Sequence, residues 1–179
     1  RAQLSPSDIE AQARVVASRF QRAGKTLDLL VVDHIHKMIA PPLQKPVEVF
    51  SNISARLADL GKKLNCAVLC LAQLNRGVES RDDKRPLLSD LRESGAIEQD
   101  ADTVMFAYRE SYYLERAKCK GYEDEADRLA ELAECQNRLE LIVAKNRQGP
   151  VGTVDLWADM PCNVIRDAND FHQWEAQAA

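Results

Sequence analysis

Hydrophobic residues recur along the chain at two distinct spacings. Between Ser5 and Gly24, and again between Val47 and Asn65, apolar positions return every three or four residues with polar residues between them. This period predicts two amphipathic helices, because it places the apolar side chains on one face. Ser5 followed by a proline is a typical helix start, and Gly24 and Asn65 suit the two helix ends.

Short, nearly continuous apolar runs predict the strands of a sheet. They occupy residues 27–32, 67–72, 103–108 and 139–144, and a fifth strand at 153–157 follows a Gln-Gly-Pro turn. Runs of this kind are typical of parallel strands buried on both faces. The alternation of helices and strands predicts an α/β fold, with a mostly parallel central sheet flanked by helices and a C-terminal β-hairpin.

Two regions depart from this alternation. Residues 114–136 are charged and helical in pattern, with Gly121 dividing them into two helices, and we interpret them as a solvated insertion. After Pro161 the pattern fades, so residues 162–179 are expected to form a C-terminal tail, and residues 1–161 a single domain.

Composition narrows the class of protein. The chain has 179 residues, of which 45% are hydrophobic and 29% charged, and it contains no apolar run near the roughly 18 residues of a membrane span. Five cysteines without a Cys-x-x-Cys pair favour a reducing cytoplasm over a disulfide framework or a structural zinc site. The net charge of −4 means that any nucleic-acid binding must come from a local basic patch.

Polar residues at two strand ends are the first chemical candidates. Asp33 follows the first apolar run, at the edge where open α/β sheets bind ligands, and there it can hold Mg²⁺ against nucleotide phosphates. The alternative is an ordinary turn or helix-capping aspartate. Gln73 ends the second run, where its amide is either a phosphate sensor or simply a polar strand end. His34 and His36 allow a third alternative, a metal hydrolase site.

Gly24-Lys25-Thr26 is similar to the end of a phosphate-binding loop, but its context is wrong. That motif requires a second glycine five residues earlier, where this chain has Arg19, and it requires a strand before and a helix after. Here a predicted helix precedes and a predicted strand follows. We therefore interpret the tripeptide as a helix-to-strand turn and expect no phosphate cradle in this chain.

Cations cluster in two places. A loop within residues 75–92 carries five of them, which could lie on a phosphate backbone, although interspersed acids also suit a solvated loop: Arg76, Arg81, Lys84, Arg85 and Arg92. Lys145 and Arg147 end a strand before a Gly-Pro turn. An arginine there can reach a neighbouring subunit's nucleotide as an arginine finger, or it can form a surface salt bridge.

Three long segments, in this order, resemble a known family. They are AQLNRGVESRDDKRP at 72–86, SDLRESGAIEQDAD at 89–102 with the following TVMFAYR, and KNRQGPVGTV at 145–154. Together they resemble the C-terminal, RecA-like motor domain of DnaB-type replicative DNA helicases, over roughly residues 5–157. The similarity implies the later part of such a domain, since the family's phosphate loop and catalytic glutamate come earlier in the order of its motifs.

The resemblance implies an ATP-dependent helicase, in the cytoplasm and without membrane contact, that forms a homo-hexameric ring on single-stranded DNA. It implies ATP and Mg²⁺ as cofactors, and primase and a helicase loader as partners. By resemblance, Asp33 is the acid near Mg²⁺, Gln73 links the γ-phosphate to the DNA loop, and Lys145 and Arg147 act on the neighbour's nucleotide. The implied DNA-binding residues are Arg92, Glu93 and Gly95, with Arg76 and Arg85 from the preceding loop.

The chain departs from the family after Asp33, where His34-Ile35-His36 stands in place of the usual Tyr-Leu-Gln. The implied ATP hydrolase is expected to be inactive as this chain alone, because the phosphate cradle is missing from it. A different hypothesis is a non-catalytic module, derived from a helicase, that binds single-stranded DNA or a subunit interface.

Overall fold

The computed structural model describes residues 4–38, 46–91, 95–117 and 122–168, which form two compact units. The first unit covers residues 1–101 and the second residues 102–179. Each unit has its own sheet, and each is described here by itself. Within the described ranges, no helix combines the length and apolar character needed to cross a membrane.

The first unit begins with helix α1, Pro6–Arg22. Its start is fixed by a capping box, in which the Ser5 hydroxyl accepts from the Asp8 N–H at 3.2 Å and the Asp8 carboxylate accepts from the Ser5 N–H at 2.9 Å. Gly24 follows the helix with φ +68°, a conformation that suits glycine, and the chain then enters a strand. The predicted helix-to-strand turn is confirmed.

Strands β1, Leu29–Val32, and β2, Ala67–Cys70, pair in parallel, with Val32 opposite Cys70. Helix α2, Pro46–Leu64, connects them and ends at Asn65, whose φ of 50° is typical of a helix C-terminus. The core of this unit lies between β1 and α2 and contains five buried residues: Val32, Ile35, Val49, Ile53 and Leu57.

The expectation that these strands are buried on both faces is wrong. Leu29 and Val31 are 52% and 53% exposed, and Leu69 on β2 is also exposed, whereas Val32 packs into the core. Side chains alternate between the two faces of a strand, and α2 covers only one of them. An apolar run therefore indicates a strand here without showing how many of its faces are covered.

The second unit contains an antiparallel sheet in the order β3-β4-β5-β6. Its strands are β3, Thr103–Tyr108; β4, Arg138–Asn146; β5, Gly152–Asp159; and β6, Val164–Asp167. The predicted hairpin is confirmed as β4 and β5. Parallel pairing among the described strands occurs only between β1 and β2. Strand β6 lies within the segment that the sequence assigns to a tail, and it was not predicted because only two of its four residues, Val164 and Ile165, are apolar.

Alternating burial marks β3 as well, since Val104, Phe106 and Tyr108 are buried while Met105 is half exposed. Its prediction as a fully buried strand is therefore wrong, because one face of this antiparallel sheet remains open to solvent. The other α-helices among the described residues are α3, Gly95–Asp100, in the first unit, and α4, Glu110–Leu114, and α5, Tyr122–Cys135, in the second. Gly121, the predicted divider of the charged segment, lies outside the described residues.

Candidate functional site

Asp33 and Gln73 lie at one edge of the parallel sheet. Asp33 directly follows β1 and is exposed, and the Asp33–His34 peptide bond is cis. The Leu71 N–H donates to the Val32 carbonyl at 2.9 Å, and the Ile35 N–H donates to the Leu71 carbonyl at 3.1 Å, so backbone pairing continues beyond both strands. The structure therefore brings these two candidates to the same edge, as the parallel pairing requires.

His36 contacts Gln73 directly. The backbone N–H of Gln73 donates to His36 Nδ1 at 3.2 Å, and the His36 ring packs against Phe50 of α2 with ring centroids 4.6 Å apart. Sequence reasoning considered His36 as a hydrolase ligand and as a departure from the family, but not as a partner of Gln73. Among the described residues, no group of three His, Cys, Asp or Glu side chains is placed to hold a metal, so the hydrolase alternative lacks a ligand set.

Gln73 is followed in sequence by the segment that leads to the candidate DNA loop, which contains Arg92, Glu93 and Gly95. Leu74 forms an antiparallel β-bridge with Leu91, and the Asn75 N–H donates to the Asp90 carbonyl at 2.7 Å. Two candidate DNA contacts, Arg92 and Glu93, lie outside the described residues. Gly95 is described, begins α3 and is exposed, and a side chain at its position would meet open space.

An ion pair between Arg81 and Asp90 holds together the loop of residues 75–91, which precedes the candidate DNA loop. The guanidinium donates to both carboxylate oxygens of Asp90, at 3.0 and 2.7 Å, and also to the Arg85 carbonyl at 2.8 Å. The Leu87 N–H donates to the same carboxylate at 2.8 Å, and Asp90 is buried. Sequence reasoning missed this pair, although the mixture of arginines and acids in the loop was a signal of internal pairing.

The other two candidate DNA contacts, Arg76 and Arg85, differ from each other. Arg76 begins a short 3₁₀ turn capped by Asn75, and its side chain is exposed. Arg85 is half-buried and lies beside Asp83, which accepts from the Arg85 backbone N–H at 3.0 Å and from its guanidinium at 3.4 Å. These contacts with Arg85 hold the pKa of the Asp83 carboxyl below its ordinary value.

Lys145 and Arg147 belong to the second unit. Lys145 lies near the end of β4, opposite Val104 of β3. The Arg147 N–H donates to the Asp102 carbonyl at 2.8 Å, and its guanidinium pairs with the Asp102 carboxylate at 3.0 Å. The two side chains are 50% and 75% exposed. Asp102 was not expected as a partner, because it is distant in sequence and becomes adjacent only through the pairing of β3 with β4.

The donor set at Asp33 fits Mg²⁺ of the kind that accompanies a nucleotide. Such an ion is usually held by one or two carboxylates, with phosphate oxygens and water completing its octahedron. A single exposed carboxylate at the carboxyl end of β1 meets that requirement. Asp33 would then hold the ion, whose positive charge would neutralise the phosphates.

A family model described as the DnaB-like helicase C terminal domain matches residues 1–165. The chain is 44% identical over 158 residues to the Replicative DNA helicase DnaB of Rickettsia felis, covering 87% of this chain and 31% of that protein. It is 41% identical over 155 residues to the protein of the same name from Buchnera aphidicola, covering 86% of this chain and 29% of that one. The chain thus spans about a third of the length of these relatives.

Two solved structures are also similar. One is an ATPase domain with a TM-score of 0.74 and 34% identity, covering 93% of this chain and 52% of that one. The other is a DnaB-like replicative helicase described with its interactions with primase, with a TM-score of 0.71 and 35% identity, covering 89% of this chain and 35% of that one. These similarities confirm the predicted RecA-like α/β fold.

Proposed function

Because the chain belongs to the family of DnaB-like helicase C-terminal domains, we propose that it is the later part of the ATP-driven motor of a replicative DNA helicase. The motor works as a homo-hexameric ring on single-stranded DNA and hydrolyses ATP to separate the duplex. The observation that carries this proposal is the 44% identity, over 87% of the chain, with a protein named Replicative DNA helicase DnaB. We assign residues 1–161 to the partial motor, with an insertion at 114–136, and strand β6, at 164–167, extends its sheet into the segment expected as a tail.

The nucleotide site is shared between two subunits. Asp33 lies near the Mg²⁺ of bound ATP, and Gln73 responds to the γ-phosphate at the same sheet edge. Their positions after parallel strands support these roles. Lys145 and Arg147 act on the nucleotide of the neighbouring subunit. The support is the exposure of Arg147, whose pair with Asp102 is open to water and therefore easily exchanged for a phosphate.

Single-stranded DNA is bound by the loop around Arg92, Glu93 and Gly95, with Arg76 and Arg85 as further contacts. The net charge of −4 gives the chain no general attraction to DNA. The phosphate contacts are therefore supplied by the local cations Arg76, Arg85 and Arg92. Arg92→Ala in the full-length protein is expected to weaken DNA binding and to reduce the slope of log K against log salt by about 1. An unchanged slope would mean that Arg92 touches no phosphate.

Partners and location follow from the same proposal. A structural neighbour at 35% identity is described with its interactions with primase, which supports primase as a partner of the whole protein. A helicase loader is the second proposed partner, and the bacterial cytoplasm is the proposed location, as expected for a protein that acts in DNA replication.

The decisive experiment is ATP hydrolysis, with and without single-stranded DNA, by the 179-residue chain and by the full-length protein. The chain alone is expected to show no turnover, since Gly24-Lys25-Thr26 lies between a helix and a strand and cannot form the phosphate cradle. The full-length protein is expected to show DNA-stimulated turnover and unwinding. A full-length protein that neither hydrolyses ATP nor unwinds DNA would refute the proposal.

A further inference from the structure

We propose that His36 is a positioning residue, which holds Gln73 through its backbone and so joins the loop after Asp33 to the DNA loop. The inference rests on the proposed function and assigns a role to a residue outside the expected catalytic set. It starts from one contact, the 3.2 Å hydrogen bond from the Gln73 N–H to His36 Nδ1.

The hydrogen bond to Gln73 determines which ring nitrogen of His36 carries the proton. A backbone N–H is a donor, so Nδ1 must present its lone pair, and the ring proton of a neutral histidine then lies on Nε2. The ring is held in place by Phe50 on α2, with centroids 4.6 Å apart. Its backbone belongs to a 3₁₀ turn that begins at Ile35, a residue buried in the core of the first unit. His36 is therefore a fixed acceptor rather than a mobile surface side chain.

The bond joins two segments with different proposed partners. His36 lies three positions after Asp33, the proposed neighbour of Mg²⁺. On the other side, Gln73 is followed by Leu74, which bridges to Leu91 immediately before the proposed DNA loop. A displacement of the Asp33 loop is thus transmitted to Gln73 through a side-chain bond, and from Gln73 to Leu91 through backbone bonds.

Two substitutions distinguish the effect of the hydrogen-bond acceptor on His36 from the effect of packing by its ring. His36→Asn keeps an acceptor, because the Asn side-chain oxygen occupies nearly the position of Nδ1, whereas His36→Leu keeps apolar contact with Phe50 but accepts no hydrogen bond.

The measurement is kcat and KM for ATP, in the full-length protein, with and without single-stranded DNA. His36→Leu is expected to lower the DNA-stimulated kcat about fivefold, the effect of one lost hydrogen bond, with KM for ATP changed by less than about twofold. His36→Asn is expected to retain the wild-type kcat within about twofold. This split separates positioning of Gln73 from loss of nucleotide binding.

Several results would overturn the inference. If His36→Asn loses as much kcat as His36→Leu, packing of the ring and not the acceptor is what matters. An unchanged DNA-stimulated kcat in His36→Leu would show that the bond transmits nothing. Hydrogen exchange at the Gln73 amide provides a test that does not depend on the leucine variant folding: slow exchange is expected in wild type and His36→Asn, and fast exchange in wild type refutes the bond. A wild-type protein without DNA-stimulated hydrolysis would instead refute the proposed function itself.

Discussion

Replacing Arg147 tests whether the proposed nucleotide site is shared between subunits. In the full-length protein, Arg147→Ala is expected to lower kcat by about 10³–10⁵, the range of known arginine fingers, because the charge that develops on the transferred phosphoryl group loses its neutralising partner. Nucleotide binding should remain, since the phosphate cradle and Asp33 belong to the other subunit. Steady-state hydrolysis and the binding of a fluorescent ATP analogue measure the two quantities separately.

A loss of that size is much larger than the contribution of the exposed Arg147–Asp102 pair to stability. Arg147 pairs with Asp102 through its guanidinium at 3.0 Å and through its backbone N–H at 2.8 Å, and the two side chains are 50% and 75% exposed. An exposed ion pair contributes about 0.2–1 kcal/mol, so its removal changes the fraction of folded protein very little. The transition-state stabilisation expected from an arginine finger therefore exceeds the stability contributed by the Arg147–Asp102 ion pair several-fold.

Asp102→Ala is the matched control for this prediction. It removes the same ion pair but leaves the arginine in place, so kcat should change by less than about fivefold, in either direction. If Asp102→Ala lowers kcat as much as Arg147→Ala does, the ion pair is what the reaction needs, and the reasoning about a finger is wrong.

Mixing two inactive variants tests action in trans. In a ring that contains Arg147→Ala and Asp33→Asn subunits at random, about a quarter of the interfaces pair an intact Asp33 with an intact Arg147 from the neighbour. Activity should therefore reappear on mixing. If Arg147 served the nucleotide of its own subunit, no intact site would form and the mixture would stay inactive.

Two further predictions concern the first unit. Asp90→Ala is expected to lower the free energy of unfolding by about 2–3 kcal/mol in urea denaturation, because it leaves Arg81 and the Leu87 N–H without their buried acceptor. Asp83→Ala, at an exposed position of the same loop, should change the free energy of unfolding by less than about 0.5 kcal/mol. Equal losses in the two variants would refute the role of the Arg81–Asp90 pair. Burial raises the pKa of the Cys70 thiol to about 11, so the unfolded chain releases this proton at lower pH than the folded chain, and stability should fall as pH rises from about 9 to 11. Comparison with Cys70→Val isolates this contribution of up to about 2–3 kcal/mol, and identical pH profiles would contradict it.

The sequence predicted what depends on local pattern. Capping chemistry located the start of α1 at Ser5, and the positive-φ residues Gly24 and Asn65 marked the two helix ends. The failures concern contacts between distant segments. A four-residue apolar strand such as β1 has the same pattern whether one face or both are covered, so the exposure of Val31 could not be predicted.

The same distinction applies to the candidate site. Asp33 and Gln73 were found because strand ends are visible in sequence and parallel strands share an edge. The partners of the site residues were not found, because His36 meets Gln73 across 37 positions and Asp102 meets Arg147 across 45. Such contacts depend on how turns and registers bring segments together, and residue type alone does not fix them.

The pair of Arg81 and Asp90 has a consequence for binding affinity. Ordering a mobile backbone costs about 1–2 kcal/mol per residue, and a ligand that must order a loop loses that amount from its binding free energy. Here the loop from Asn75 to Leu91 is already held by the guanidinium, the Asp90 carboxylate and the Leu74–Leu91 bridge before any DNA arrives. Residues 75–91 are thus pre-organised next to the proposed DNA loop. The conformational entropy of this segment is lost once, during folding, and is not lost again each time the protein binds a new stretch of DNA.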